Sequence, residues 1–238
     1  MAYTEIKTSK KREITSTKLD KDAHRYDLTL SVDENNIPRL KLKRVEFNSI
    51  SNLPQKLDDK LASKIPVISF FDNFSTICLY NEDSNGYQFL ESWNGKFGRE
   101  LLIAFDKEKI TYCDEAVSAF LTKPSFVIYD LLKIMSMPLE EALEIETTSF
   151  TVTKDSENPI LLEFDTFDGS KKLSTPAFLM ALLLKQHLKI IKNEINEKPK
   201  ELCFYFPLEA KIENRKRIQK QIKESCELLK ICCSFIEI

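Results

Sequence analysis

The sequence predicts an α/β or α+β protein, because strands and helices are mixed along the chain. Segments that alternate like β-strands are interspersed with segments of helical periodicity, and two strand-like segments enclose the last predicted helix. Hydrophobic residues make up 42% and charged residues 30% of the 238 residues, which is typical of a globular chain with a core. Of the two classes, α/β is the one we expect.

The first 62 residues differ from the rest in charge and in pattern. They carry an excess of basic side chains, whereas residues 63–238 carry a net negative charge. Apolar residues alternate with polar ones on both sides of the turn-forming segment 33–36: Leu28, Leu30, Val32, Leu40 and Leu42. This pattern predicts a β-hairpin. We therefore divide the chain into an N-terminal extension, residues 1–62, with a hairpin and a linker or short helix, and a larger domain, residues 63–238.

The larger domain begins with strand signals separated by turn-forming residues. Four strands are predicted, over 67–71, 77–80, 87–90 and 101–105. A short helix over 115–121 precedes Pro124, and a second helical stretch has Pro138 in its first turn. Two further strands are predicted over 150–153 and 160–164.

The strongest helix signal begins at the hydroxyl cap and proline of Ser174-Thr175-Pro176 and runs toward residue 198. A strand over 202–206 follows and ends at Pro207. A basic helix over 212–229 and an apolar strand over 231–236 complete the sequence. These last elements give the alternation that favours an α/β sheet.

Composition argues against several kinds of site. Only 4 glycines occur in 238 residues, which argues against a glycine-rich phosphate loop. His24 and His187 are the histidines, and the 6 cysteines form no C-x-x-C pair, so we assign no metal ligand and no catalytic residue. The net charge of −2 argues against a DNA-binding protein. We expect a cytoplasmic protein with reduced, mostly buried cysteines and no membrane association, because no long apolar segment is present.

Residues from about 65 to 238 resemble the first lobe of the actin-like ATPase domain of the 70-kDa heat-shock chaperones. The segments that carry the resemblance follow in family order: Val67 to Tyr80 for the opening phosphate hairpin, Gly95 with Leu101-Leu102-Ile103-Ala104-Phe105, Asp114-Glu115-Ala116, Lys123-Pro124-Ser125-Phe126-Val127-Ile128-Tyr129-Asp130, Phe206-Pro207, and Ser234-Phe235-Ile236-Glu237. The resemblance implies an actin-like, ribonuclease H-like lobe with a mixed sheet and flanking helices.

The departures from the family pattern concern ATP. The family's Asp-x-Gly-Thr-Thr turn holds phosphates, but the corresponding stretch here contains no glycine and includes the bulky Phe74. Its degenerate phosphate-loop positions are Asp72, Asn73, Ser75 and Thr76. The family's catalytic lysine corresponds to Leu132, although a one-residue slip would place Lys133 there. An apolar side chain cannot neutralise phosphate charge. The resemblance therefore implies a catalytically inactive ATPase fold for which no cofactor is expected and ATP binding is doubtful.

Among the heat-shock relatives, the opening stretch looks most like the Ssz-type members. Those act with a J-domain protein in the ribosome-associated complex. The resemblance thus implies a co-chaperone or scaffold that works with a J-domain partner, with the ribosome as a further partner in nascent-chain folding. Two alternatives stay open: an ATPase completed by another chain, which would supply the family's second lobe, and a ribosome-binding factor unrelated to chaperones.

Two further groups of residues have both a functional and a simpler interpretation. Pro207, Arg215 and Glu237 match family positions tied to nucleotide sensing, and otherwise are a strand stop, a solvated helix residue and a surface acid. The basic helix suggests an RNA contact through Lys211, Arg215, Lys216, Arg217 and Lys220. Otherwise it is an ordinary solvated helix face.

Overall fold

The protein, represented by a computed structural model, is described over residues 2–4, 11–13, 19, 22–207 and 212–238. It forms two compact units, Met1–Ser51 and Asn52–Ile238. The helix over residues 53–60, which the sequence placed in the extension, therefore belongs to the larger unit.

The smaller unit is built from short antiparallel pairs. Its elements are β1 (Ala2–Thr4), β2 (Lys11–Glu13), β3 (Arg25–Val32), β4 (Pro38–Val45) and α1 (Asn48–Ser51). Strand β1 pairs with β2, and β3 pairs with β4 along its whole length as the predicted hairpin. The Asp33 carboxylate accepts hydrogen bonds from the backbone N–H groups of Asn35 and Ile37, and Asn36 takes a positive φ of 60°. These features close the turn.

The larger unit contains most of the elements. Its strands are β5 (Val67–Phe71), β6 (Phe74–Asn81), β7 (Gly86–Phe89), β8 (Arg99–Glu100), β9 (Ile103–Ala104), β10 (Thr111–Tyr112), β11 (Val127–Ile128), β12 (Thr151–Thr153), β13 (Leu161–Asp165), β14 (Lys171–Ser174), β15 (Glu201–Tyr205) and β16 (Cys232–Ile236). Its helices are α2 (Leu53–Lys60), α3 (Val117–Thr122), α4 (Leu131–Ser136), α5 (Leu139–Leu143), α6 (Pro176–Ile195) and α7 (Ile212–Leu228).

A mixed sheet organises the larger unit. Its strand order is β16-β15-β5-β6-β7, with β8 paired to the start of β6. Strands β5, β6 and β7 form an antiparallel meander, whereas β15 and β16 run parallel to β5. The prediction of a mixed α/β fold with flanking helices is thereby confirmed.

Helices α4, α6 and α7 pack together on the main core of this unit. Helix α6 begins as predicted, because the Thr175 hydroxyl accepts a hydrogen bond from the backbone N–H of Phe178 and Pro176 occupies the first turn. Leu179, Leu183 and Leu184 are buried on its inner face. The helix therefore places its histidine, His187, directly in the core.

Two small sheets lie in the chain between β8 and α6. Strand β9 pairs with β10 and β11, and β13 pairs with β12 and β14. The strand predicted over 101–105 is therefore shorter than expected, since only Ile103–Ala104 form β9. A continuous apolar segment shows no alternation from which the ends of a strand can be predicted. Strand β14 was not predicted, because it lies at a sheet edge and has little apolar alternation.

Most cysteines are core residues, as expected: Cys78, Cys113, Cys203 and Cys226 are buried. None of the helices in the described ranges is long and apolar enough to cross a bilayer.

Candidate functional site

Three strands, β5, β15 and β16, end at one edge of the mixed sheet. They belong to the segment that resembles the phosphate hairpin and to the segments that end at Pro207 and Glu237. Because β15 is parallel to β5 and β16, with Tyr205 in register with Ser69 and Ile236, all three strands finish side by side. Phe70 stacks on Phe206 with ring centroids 5.6 Å apart. The sheet thus brings together three stretches far apart in sequence.

The turn between β5 and β6 consists of Asp72 and Asn73, with Phe71 and Phe74 paired across it. Asp72 takes a φ of 47° without being a glycine. The rings of Phe71 and Phe74 stack at 5.8 Å, so Phe74 flanks the turn instead of standing in it. Asn73 accepts hydrogen bonds from two backbone N–H groups, Leu101 to its carbonyl (2.7 Å) and Asp130 to its side-chain oxygen (3.1 Å). The turn is therefore held from both sides.

Ser75 is the centre of a buried hydrogen-bond network. Its Oγ lies 2.8 Å from His187 Nε2, and the Trp93 indole N–H donates to both Ser75 Oγ (3.1 Å) and its carbonyl oxygen (3.0 Å). His187 Nδ1 lies 2.8 Å from the Leu183 carbonyl, which only accepts, so Nδ1 carries the proton. The Ser75 hydroxyl consequently donates to Nε2.

Burial makes this histidine neutral. Both Ser75 and His187 are 0% exposed, and burial lowers the pKa of His187 from 6.5 to about 4. A serine beside a neutral histidine is also the pairing found in nucleophilic catalysis. Neither side chain reaches solvent, however, so the pair acts here as a structural contact that fixes α6 to the sheet.

Thr76 and Gly98 complete the closure of this region. The Thr76 hydroxyl lies 2.6 Å from the Ser69 hydroxyl inside the core. At Gly98, with φ of 67°, a Cβ atom would stand 2.2 Å from the Ser75 carbonyl oxygen. The segment that leads into β8 therefore passes over β6 at a distance that only glycine permits.

Carboxylates surround the turn. Asp72 lies in it, Glu100 is in register with Phe74 on β8, and the backbone N–H of Asp130 bonds to Asn73. Burial, together with the nearby carboxylates of Asp130 and Asp114, raises the pKa of Glu100. Acidic residues at this edge disfavour a bound anion.

Arg99, which precedes Glu100 on β8, already contacts other groups of the protein. Its guanidinium lies 5.2 Å from the Trp93 ring and donates to the Ser92 carbonyl at 2.9 Å. Leu132 is buried in α4, whereas Lys133 is exposed on the same helix.

Two of the three positions that match nucleotide-sensing residues are in contact. Arg215 of α7 forms an ion pair with Glu237 at 3.2 Å, with the arginine side chain 12% exposed and the glutamate 73% exposed. Pro207 follows β15 and is partly exposed. The contact joins α7 to the end of β16.

The basic residues of α7 are largely engaged by protein groups. Arg217 Nε donates to the Ser136 carbonyl at 2.7 Å, which caps the end of α4, and Lys216 pairs with Glu213 at 3.0 Å. Lys220 is exposed, and Lys211 lies outside the described residues. Within residues 212–238, only a few lysines on α7, interspersed with glutamates, therefore remain for the suggested RNA contact.

The sequence analysis did not identify all the residues that form the region around the turn between β5 and β6. Trp93, Gly98, Glu100 and His187 contact the turn or its neighbours but belong to no motif with catalytic spacing. The scarcity of glycine was the available signal for Gly98. Over the described ranges, no group of three or more His, Cys, Asp or Glu side chains is arranged to hold a metal ion.

Neither a protein-family model nor a curated protein matches the chain.

Proposed function

We propose that the larger unit is a degenerate actin-like lobe, similar to the first lobe of the 70-kDa heat-shock chaperones, that does not use ATP and acts by binding proteins. A co-chaperone or scaffold role with a J-domain partner at the translating ribosome is the form of this function that the sequence resemblance favours.

The positions of the resembling segments support this proposal. The opening hairpin, the strand before Pro207 and the strand before Glu237 are neighbours in one sheet and end at one edge. A chance likeness of isolated short segments gives no reason for them to be adjacent. The Arg215–Glu237 pair further supports the residue correspondence, because two matched positions 22 residues apart are in contact.

The proposed loss of ATP binding depends on one observation: the groups at and beside the turn between β5 and β6 are already engaged within the protein. The Ser75 and Thr76 hydroxyls are buried in hydrogen bonds with His187 and Ser69, and the neighbouring acidic residues Glu100 and Asp130 disfavour a bound phosphate. Accepting an anion there would require breaking buried hydrogen bonds, which costs about 1–3 kcal/mol for each group left unsatisfied.

Calorimetric titration of the full chain with ATP and Mg²⁺ tests the proposal. We expect no binding heat and no phosphate release. Micromolar binding accompanied by turnover would contradict the proposal and favour an ATPase that borrows its second lobe from another chain.

The protein-binding part is tested separately. Candidate J-domain proteins are mixed with the chain and analysed by size-exclusion chromatography without nucleotide, and ribosome co-sedimentation is measured at low and high salt. Co-elution with a J-domain protein without ATP is the expected result. Co-elution that requires ATP would contradict the nucleotide-independent role.

A further inference from the structure

The hairpin of the smaller unit places its leucines on one face and most of its cations on the other. Strand β4 alternates cations with leucines, and the residues across from them on β3 follow the same division. Leu28 and Leu30, paired with Leu42 and Leu40, give one face. The other face, named here the cationic face, consists of Arg25, Asp27, Thr29, Ser31, Arg39, Lys41, Lys43 and Val45. The remaining cation of β4, Arg44, lies on the leucine face and pairs with Asp22 at 2.7 Å.

The cations of β4 are evenly spaced and exposed. Alternate residues on an antiparallel strand are about 7 Å apart, so Arg39, Lys41 and Lys43 extend over about 14 Å. All three are exposed. They form a straight row of positive charge on one side of a strand.

The two lysines of this row are not neutralised by the protein. Arg39 pairs with Asp33 at 3.1 Å. The hydrogen bond from the backbone N–H of Ile37 lowers the pKa of the Asp33 carboxyl, and the contact with Arg39 lowers it further. Asp27 lies across from Lys43 in the register, but neither Lys41 nor Lys43 forms an ion pair among the described residues. Two adjacent like charges therefore remain available to a ligand.

We infer that the cationic face of the hairpin binds the phosphate backbone of single-stranded RNA. A row of evenly spaced lysines on a strand matches a repeating linear polyanion, because each cation neutralises one phosphate and releases a counterion. The residues of this site belong to the smaller unit and include none of the turn between β5 and β6, so the inference does not require the proposed loss of ATP binding.

Other surfaces fit this ligand less well. The leucine face is exposed, with Leu28 at 53% and Val32 at 60%, but it has no feature that selects a partner. On α7, Arg215 and Arg217 are held by Glu237 and Ser136. An acidic protein segment is the competing ligand of the cationic face, but a strand that pairs edge to edge is disfavoured by lysines at the sheet edge.

The test measures binding of the full chain to a fluorescein-labelled uridine RNA of about 20 nucleotides by fluorescence anisotropy. Two neutralised phosphates, one at Lys41 and one at Lys43, predict that affinity falls about sevenfold between about 50 and about 200 mM salt, from a slope of about −0.7 for each contact. In Lys41→Gln/Lys43→Gln the same change of salt should leave affinity almost unchanged.

The matched control removes the same charge from α7. Lys216→Gln/Lys220→Gln should bind RNA with wild-type affinity and salt dependence, and circular dichroism should show both double variants folded. No measurable RNA binding, an unchanged salt slope in Lys41→Gln/Lys43→Gln, or a loss confined to the α7 variant would overturn the inference. Tighter binding to polyglutamate than to RNA would also overturn it, in favour of an acidic protein ligand.

Discussion

Gly98 and Gly169 both take a positive φ but differ in what surrounds them. Both have a positive φ, 67° and 79°, but a Cβ at Gly98 would meet the Ser75 carbonyl oxygen at 2.2 Å, whereas nothing lies within 4 Å of a Cβ at Gly169. One position combines strain with a steric clash, and the other has strain alone.

We predict that Gly98→Ala lowers the free energy of unfolding by about 3 kcal/mol or more, because β8 must move away from β6. Gly169→Ala is the matched control and should cost about 1 kcal/mol. Urea denaturation of both variants measures the difference. Equal losses would mean that the approach of Gly98 to Ser75 is not a tight contact in solution.

At the scale of elements, α7 is attached to α4 through side chains that bond to the last carbonyls of the shorter helix. Arg217 Nε donates to the Ser136 carbonyl at 2.7 Å, and Gln221 donates to the Met135 carbonyl at 3.2 Å. These carbonyls have no partner within α4, since they belong to its last turn. A positive charge at a helix C-terminus is favourable as well.

Arg217→Ala should therefore lower the free energy of unfolding by about 1.5–3 kcal/mol, the range for hydrogen bonds to a charged group. Lys220→Ala, on the exposed side of α7, should change it by less than about 0.5 kcal/mol. Thermal or urea unfolding gives both values. If the two variants were equally stable, the contacts to α4 would contribute nothing to the fold.

At the scale of the whole molecule, His187 links stability to pH. Burial lowers its pKa to about 4, so as pH falls the unfolded chain is protonated before the folded protein. The contribution of this histidine is fully present above about pH 6.5 and is lost progressively as pH falls toward about 4. The half-buried Glu100, with a raised pKa, changes stability in the opposite direction.

We predict that, through His187, the free energy of unfolding falls by about 2 kcal/mol between pH 7.5 and about pH 5. Urea unfolding at a series of pH values measures the slope, and His187→Gln should flatten it. NMR titration of the wild-type ring is the second measurement, which does not depend on the variant folding. A ring that titrates at pH 6 or above would contradict the prediction.

Local periodicity, caps and turn residues were enough to predict the hairpin, helix α6, helix α7 and most strands of the mixed sheet. The cap at Thr175 and the alternation along β4 are local signals of this kind. The sequence also placed Asp72, Asn73, Ser75 and Thr76 close together, since they lie within five consecutive residues, but Ser75 and Thr76 belong to β6 and only Asp72 and Asn73 form the turn.

The contacts of those residues depend on packing between elements that are distant in sequence. The bond between Ser75 and His187 joins positions 112 residues apart, and the bond between Asn73 and Asp130 joins positions 57 apart. No local pattern encodes such pairs, because they arise when α6 and the start of α4 pack on the sheet. The contacts of the α7 arginines have the same origin. In the sequence both arginines appeared available to a ligand, but in the folded protein Arg215 contacts Glu237 and Arg217 contacts Ser136.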